Sequence, residues 1–233
     1  DTPADLPRLT APASKSTGLL VVGDELAGAR SFNSLGAACS AAASGDVILL
    51  RYNGRRSQRP TVVGNVKVTI RGDEGYRPVV VFRPDDPDPV RYPHSMFSIL
   101  GGQLTMINVC LQLEVPRDLP AEDWSLVEVL GGESVRLKNC WLSISNAGDQ
   151  GGDYHQDVAF VRLKSAPGAE LAAGARAAPL TPVAIELDNC VARGEAVFLR
   201  AEGLQPLSLT WGNGLLATSQ FLLSADGEAE SPK

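Results

Sequence analysis

Asparagine recurs at one point in four short stretches of this chain. These are Asn108 in LTMINVCLQL, Asn139 in VRLKNCWLSI, Asn189 in AIELDNCVA and Asn213 in LSLTWGNGLLA. Each stretch alternates apolar and polar residues, reaches the asparagine, passes one compact or thiol residue and resumes alternating. Alternation is the period of a strand with one buried face. A polar residue recurring at a fixed point of that pattern marks a corner that successive strands turn in the same way. Its copies can hydrogen-bond to one another and satisfy backbone groups that the corner would otherwise strand.

The pattern predicts an all-β chain: a single-stranded, right-handed parallel β-helix of about five rungs. The first strands of the rungs fall near 46–50, 96–100, 126–130, 158–163 and 197–201. The second fall near 66–70, 103–107, 134–138, 183–187 and 206–210, and the third near 79–82, 109–114, 140–145, 190–192 and 214–217. Before the first rung, SFNSLGAACSAAASG spaces Phe32, Leu35, Ala38, Cys39 and Ala42 as an amphipathic helix does. Ser31 is the expected N-cap and Gly45 the expected stop, giving a helix near 31–44. Such a helix would cover the strand edges and core at the open end of the coil. Residues 1–17, rich in Pro, Ala, Ser and Thr, read as a linker or loose end. Residues 18–224 form the β-helix domain, and 225–233 a frayed polar tail.

Hydrophobic residues make up 44% of the 233, enough for a sizeable core. The net charge is -6, with Lys and Arg scattered. A nucleic-acid partner needs a basic patch, so none is expected. No run approaches the roughly 18 apolar residues that span a bilayer, so no membrane segment is expected within the chain. It begins at Asp1, which reads as an excised or processed segment of a longer protein. The alternation points Cys140 and Cys190 inward as small buried thiols, and turns Cys110, one place later, outward.

Three excursions interrupt the repeat, at 84–94, 146–157 and 165–181. Loops of this kind often carry function. In the second, Asp149, Asp153 and Asp157 lie close enough in sequence to offer oxygen ligands to calcium, beside His155. The competing reading is a solvated acidic loop, because the glutamate that closes an EF-hand loop is missing. No other cofactor is expected. A second candidate is a strip on the first strands. With Val129, Val161 and Leu199 placed inward, Ser98, Glu128, Phe160 and Phe198 form one outward column. Leu100, Leu130, Arg162 and Arg200 form the next. Two phenyl rings beside two guanidinium groups would suit a carbohydrate or an acidic protein partner. The alternative is that the 165–181 excursion or the chain end covers both rings.

The cap helix, the coil and the asparagine corner together resemble the pectin-lyase-like right-handed β-helix superfamily. FNSLGAACSAAASGDVILLRYNG, VTIRGDEGYRPVVVF and the LGG repeats at 100–102 and 130–132 resemble, more narrowly, the β-helix segment attached to planctomycete-type bacterial serine/threonine protein kinases. None of the kinase's own motifs is present. The resemblance implies a module beside an enzyme, on the extracytoplasmic side of a membrane-anchored bacterial protein. Enzymes of the superfamily cleave acidic polysaccharides with ordered carboxylates and an arginine. The N-T-D, Asp-pair, G-H-G and R-I-K set of the hydrolases is not found in order. The expected role is therefore a non-catalytic recognition or spacer module, monomeric, with Glu128, Phe160, Arg162, Phe198 and Arg200 as candidate ligand contacts. A polysaccharide lyase and a purely structural spacer are the alternatives.

Overall fold

The computed structural model describes residues 18–85, 92–116, 123–131, 134–146, 155, 157–164, 182–203 and 205–226. Among them the chain is β-rich, with one helix and strands that pair in parallel. The opening elements are β1 (Leu19–Gly23), β2 (Arg30–Phe32), α1 (Leu35–Ala41), β3 (Val47–Arg51) and β4 (Gly54–Ser57). Next come two long strands, β5 (Thr61–Gly72) and β7 (Ser95–Ile107), with β6 (Pro78–Phe82) between them and β8 (Cys110–Glu114) after. Three further passes follow: β9 (Ser125–Leu130), β10 (Ser134–Lys138) and β11 (Trp141–Ser145); β12 (Ala159–Lys164), β13 (Val183–Asp188) and β14 (Val191–Gly194); β15 (Val197–Glu202), β16 (Leu207–Gly212) and β17 (Leu215–Thr218). β18 (Leu223–Asp226) ends the described chain.

The strands fall into three stacks. The first holds the leading part of β5, the leading part of β7, β9, β12, β15 and β18. The second holds β2, β1, β3, the trailing parts of β5 and β7, β10, β13 and β16. The third is a separate 6-stranded sheet of β4, β6, β8, β11, β14 and β17. β5 and β7 bend between the first stack and the second, and so merge these two into one 12-stranded sheet. In β7 the bend falls at Gly101 and Gly102, whose φ values of 76° and 75° lie where a side chain is strained.

In-register pairing turns the alternation of each strand into columns. In the second stack, Leu20, Ile48, Ile70, Met106, Leu137, Leu187 and Trp211 lie one above another. All but Trp211 are buried, and Trp211 packs against them. Each fully buried Leu or Ile contributes about 1.5–3 kcal/mol. Residues between them, such as Arg136 and Glu186, face water and pair at 2.9 Å.

The corner between second and third stacks is built from the repeated asparagine. Asn108, Asn139, Asn189 and Asn213 have φ values of 57°, 52°, 52° and 48°. Asn tolerates this left-handed region better than most side chains. Asn139 Nδ2 donates to Asn108 Oδ1 at 3.0 Å, Asn189 to Asn139 at 2.9 Å and Asn213 to Asn189 at 3.2 Å. The expected ladder is present, on an exposed corner rather than a buried one. Cys140 and Cys190 follow the ladder and are buried, whereas Cys110 is half-buried. A hydrogen bond with Cys190, together with burial, pushes the Cys140 thiol up. Burial pushes Cys39 up to about 12.

Three expectations need correction. Residues 46–50 belong to the second stack, because β3 pairs with β1 on one side and with the trailing half of β5 on the other. The level count exceeds five, since β4 lies below the first expected third strand. The helix is also shorter than 31–44. Ser31 and Phe32 extend along Val21 and Val22 as β2, so the cap falls to Ser34, whose Oγ accepts from Ala37 N–H at 3.2 Å. The helix still buries Leu35, Ala38 and Cys39, and it packs on β5, β1 and β2 at the end of the stacks. Its exit is held by the buried Asp46 carboxylate, which accepts from Gly18 and Ala43 N–H, both at 2.8 Å. Residues 1–17 and the tail from 227 lie outside the described residues. Among the described residues no helix is long and apolar enough to cross a membrane.

Candidate functional site

The first-stack strip is not the open groove that the sequence suggests. Ser98, Glu128, Arg162, Arg200 and Ser224 form one column facing away from the core. The two arginines therefore point outward as expected, and Glu128 shares their column. Phe160 and Phe198 do not point outward; both are fully buried in the core. Their rings lie 5.9 Å apart, and Phe198 lies 4.7 Å from Trp211. The cause is a bulge. Phe198 and Leu199 both donate backbone N–H groups to the following level, to the carbonyls of Phe221 and Leu222, each at 3.0 Å. In a regular parallel sheet consecutive N–H groups alternate between the two neighbouring strands. Two in succession on one side turn two successive side chains to the same face. The pairing of β12 with each neighbour likewise passes over Phe160. Strict alternation could not foresee this.

The arginines are also occupied. Arg162, wholly buried, pairs through Nη1 with the Asp123 carboxylate and lies 3.2 Å from Glu202 Oε1. Its Nη2 donates to the Asp157 carbonyl at 2.9 Å. Arg200 pairs with the Asp157 carboxylate, and its Nε lies 3.4 Å from Glu202 Oε1. Lys164 Nζ lies 2.9 Å from Glu128 Oε1. Burial alone would raise the Asp123 pKa, but the hydrogen bond and charge of Arg162, with Lys164 and Arg200 nearby, hold it below the usual carboxylate range. Cations and carboxylates on this face thus pair with one another, although the buried Arg162 Nε has no hydrogen-bond partner among the described residues. Of the calcium candidates, Asp157 is drawn into this network, while Asp149 and Asp153 lie outside the described residues. Among the described residues no group of three or more His, Cys, Asp or Glu could hold a metal ion.

The third stack presents a different surface. On its outward face Cys110, Trp141, Val191 and Leu215 form one column, and Gln112, Ser143, Arg193 and Ala217 the next. Trp141 is 47% exposed, which is unusual for so large a ring on a regular strand. The Arg193 guanidinium lies 5.4 Å from the centre of its ring. Beyond Arg193 opens a hollow of about 640 Å³ bordered by Gln112, Ser143, Ser145, Glu195 and Thr218. On the other side of Trp141 a smaller hollow of about 250 Å³ runs past Cys110, Asn139 and Pro78 to Tyr76. The upper rim is fixed by Asn146, nearly fully buried where the chain leaves β11. Its Nδ2 donates to the carbonyls of His155 at 2.7 Å and Glu195 at 2.9 Å. Its backbone N–H donates to Glu195 Oε2 at 3.1 Å, which orients that carboxylate at the edge of the larger hollow.

The ring, the guanidinium, the amide and the hydroxyl groups are carried by adjacent strands about 4.8 Å apart. The signal for this face lies in the sequence, but not among the residues expected to bind. The register that turns Cys110 outward turns its partner Trp141 outward as well. A scan against protein-family models and a search of curated proteins both find no match to this chain.

Proposed function

We propose that the three stacks are the sides of a right-handed parallel β-helix, as in pectin-lyase-like proteins, and that the chain is a non-catalytic recognition module for carbohydrate. The recognition face in this reading is the third stack and not the first. The observation that carries it is the half-exposed Trp141 beside Arg193, flanked by hollows with polar borders. An exposed indole offers an apolar plate for a sugar ring, and the neighbouring amide, hydroxyl and guanidinium groups offer hydrogen bonds to its hydroxyls. The β-helix itself is supported by the order in which the chain visits the stacks and by the asparagine ladder along one corner.

Titration calorimetry against a panel of neutral and acidic oligosaccharides tests the proposal. Binding should weaken about tenfold in Trp141→Ala and Arg193→Ala, with an unchanged far-UV spectrum, as for a residue worth about 1.4 kcal/mol. A panel without any binder, or a binder indifferent to both substitutions, defeats the recognition reading. The structural-spacer reading then takes its place, favoured by the mutually paired charges of the first-stack face. Turnover of polygalacturonate with calcium that disappears in Asp153→Ala would instead install the lyase.

A further inference from the structure

The two ends of the stacks are finished differently. At the first end α1 buries Leu35, Ala38 and Cys39 against β5, β1 and β2. At the other end no described element covers the last strands. Leu207, Leu209, Trp211 and Leu216 are only partly buried against the core. Leu215, Phe221, Leu222 and Leu223 are 59%, 70%, 51% and 49% exposed. Of these, Leu222 lines a hollow of about 610 Å³ together with Leu209, Trp211, Gly214 and Leu216. The Trp211 indole N–H is buried there with no hydrogen-bond partner among the described residues.

Charge distinguishes this end further. No charged residue occurs between Glu202 and Asp226, in a chain that is 21% charged. The level below carries Glu186, Asp188, Arg193 and Arg200 on its outward faces. Their partners in the last level are Thr210, Gly212, Ala217 and Ser224, whereas Glu202 lies beside Asp226. Exposed strand edges are ordinarily guarded by charge, proline or a covering element. The last strands carry no proline and one charged residue, Asp226, at the end of β18.

We propose that this end is a self-association surface, on which a second copy of the chain stacks tail to tail. A second copy fits for three reasons. A surface whose charge is confined to Asp226 at its margin meets its own copy with little repulsion. The opposite end is occupied by α1, so copies cannot continue head to tail, and a two-fold contact closes at two. Such an axis sets the last strands of the two copies antiparallel, so that their free N–H and C=O groups can pair. Leu215, Phe221, Leu222 and Leu223 together expose roughly half of the ~800 Å² per partner typical of a stable interface, and the strand edges and half-buried core residues add to it. The proposal departs from the monomer expected from sequence, and it does not depend on the carbohydrate reading.

Sedimentation equilibrium and light scattering on the full chain, from about 1 to 100 µM, test it. The expected result is twice the chain mass. Phe221→Lys with Leu223→Lys should give the monomer mass and an unchanged far-UV spectrum, with dissociation at least about 100-fold easier. Phe221→Leu should keep the dimer, since it keeps an apolar contact. Three outcomes each overturn the proposal: a wild-type monomer throughout the range, a dimer that survives the double lysine variant, or open-ended assemblies larger than two.

Discussion

Arg162 shows how one buried charge shapes its surroundings. Removing a partner from a buried pair strands the remaining charge, whereas a partly exposed carboxylate can turn to water. The asymmetry matters here because Arg162 is fully buried and Asp123 is 47% exposed. Asp123→Asn at neutral pH should cost about 1 kcal/mol, or a fall of about 2–4 °C in Tm. The pH dependence follows from the lowered pKa of Asp123. Its stabilising contribution is complete above the ordinary carboxylate value of 3.8, and is lost as pH falls through the lower value of the folded protein. Melting curves should therefore drop more steeply below that value for the wild type than for Asp123→Asn. Parallel curves would exclude the pair as an acid-sensitive contact. At this scale the sequence was legible where alternation holds, as at Cys110, Cys140 and Cys190. It misled at Phe160 and Phe198, where a backbone bulge reverses the face. No side-chain pattern announces a bulge, because it is a choice of backbone hydrogen bonds.

Among the elements, the asparagine corner was the most legible and the ends were the least. Second and third strands were placed within a residue or two, and from Asn108 onward each abuts an asparagine that fixes its phase. The helix start slipped from Ser31 to Ser34, since two serines offer the same cap chemistry and the pairing of β2 decides between them. The ladder also makes a quantitative demand. Asn139→Ala should cost about 1–2 kcal/mol, combining the left-handed backbone penalty with the loss of two exposed amide contacts. Asn139→Gly should cost less, because glycine removes the backbone penalty and loses only the contacts. Urea unfolding distinguishes the two. Equal losses for Ala and Gly would mean that the hydrogen bonds carry the corner and its φ does not.

For the whole molecule, each level touches mainly the level before and the level after, so stability is expected to vary along the stacks. The middle levels, with a neighbour on each side and a continuous column from Leu20 to Leu187, should open least. In the double lysine variant of the open end, amides of β16 and β17 should exchange at least about tenfold faster than those of β7 and β10. Uniform protection from end to end would show that the stacks unfold as one unit. The candidate site spans the last three levels of the third stack, from Trp141 on β11 through Arg193 on β14 to Thr218 on β17, so its outer border should share the faster exchange of that end.

The asparagine ladder joins residues 31, 50 and 24 positions apart in the chain, yet the three contacts differ by only 0.3 Å. The corner geometry is thus indifferent to how much chain runs between one visit and the next. Closing a longer flexible connection adds about 0.6 kcal/mol for each doubling of its length. New sequence inserted at the excursions would meet little resistance from the scaffold. The corner works as a fixed frame into which segments of very different size can be spliced, which makes this chain a natural support for grafted loops.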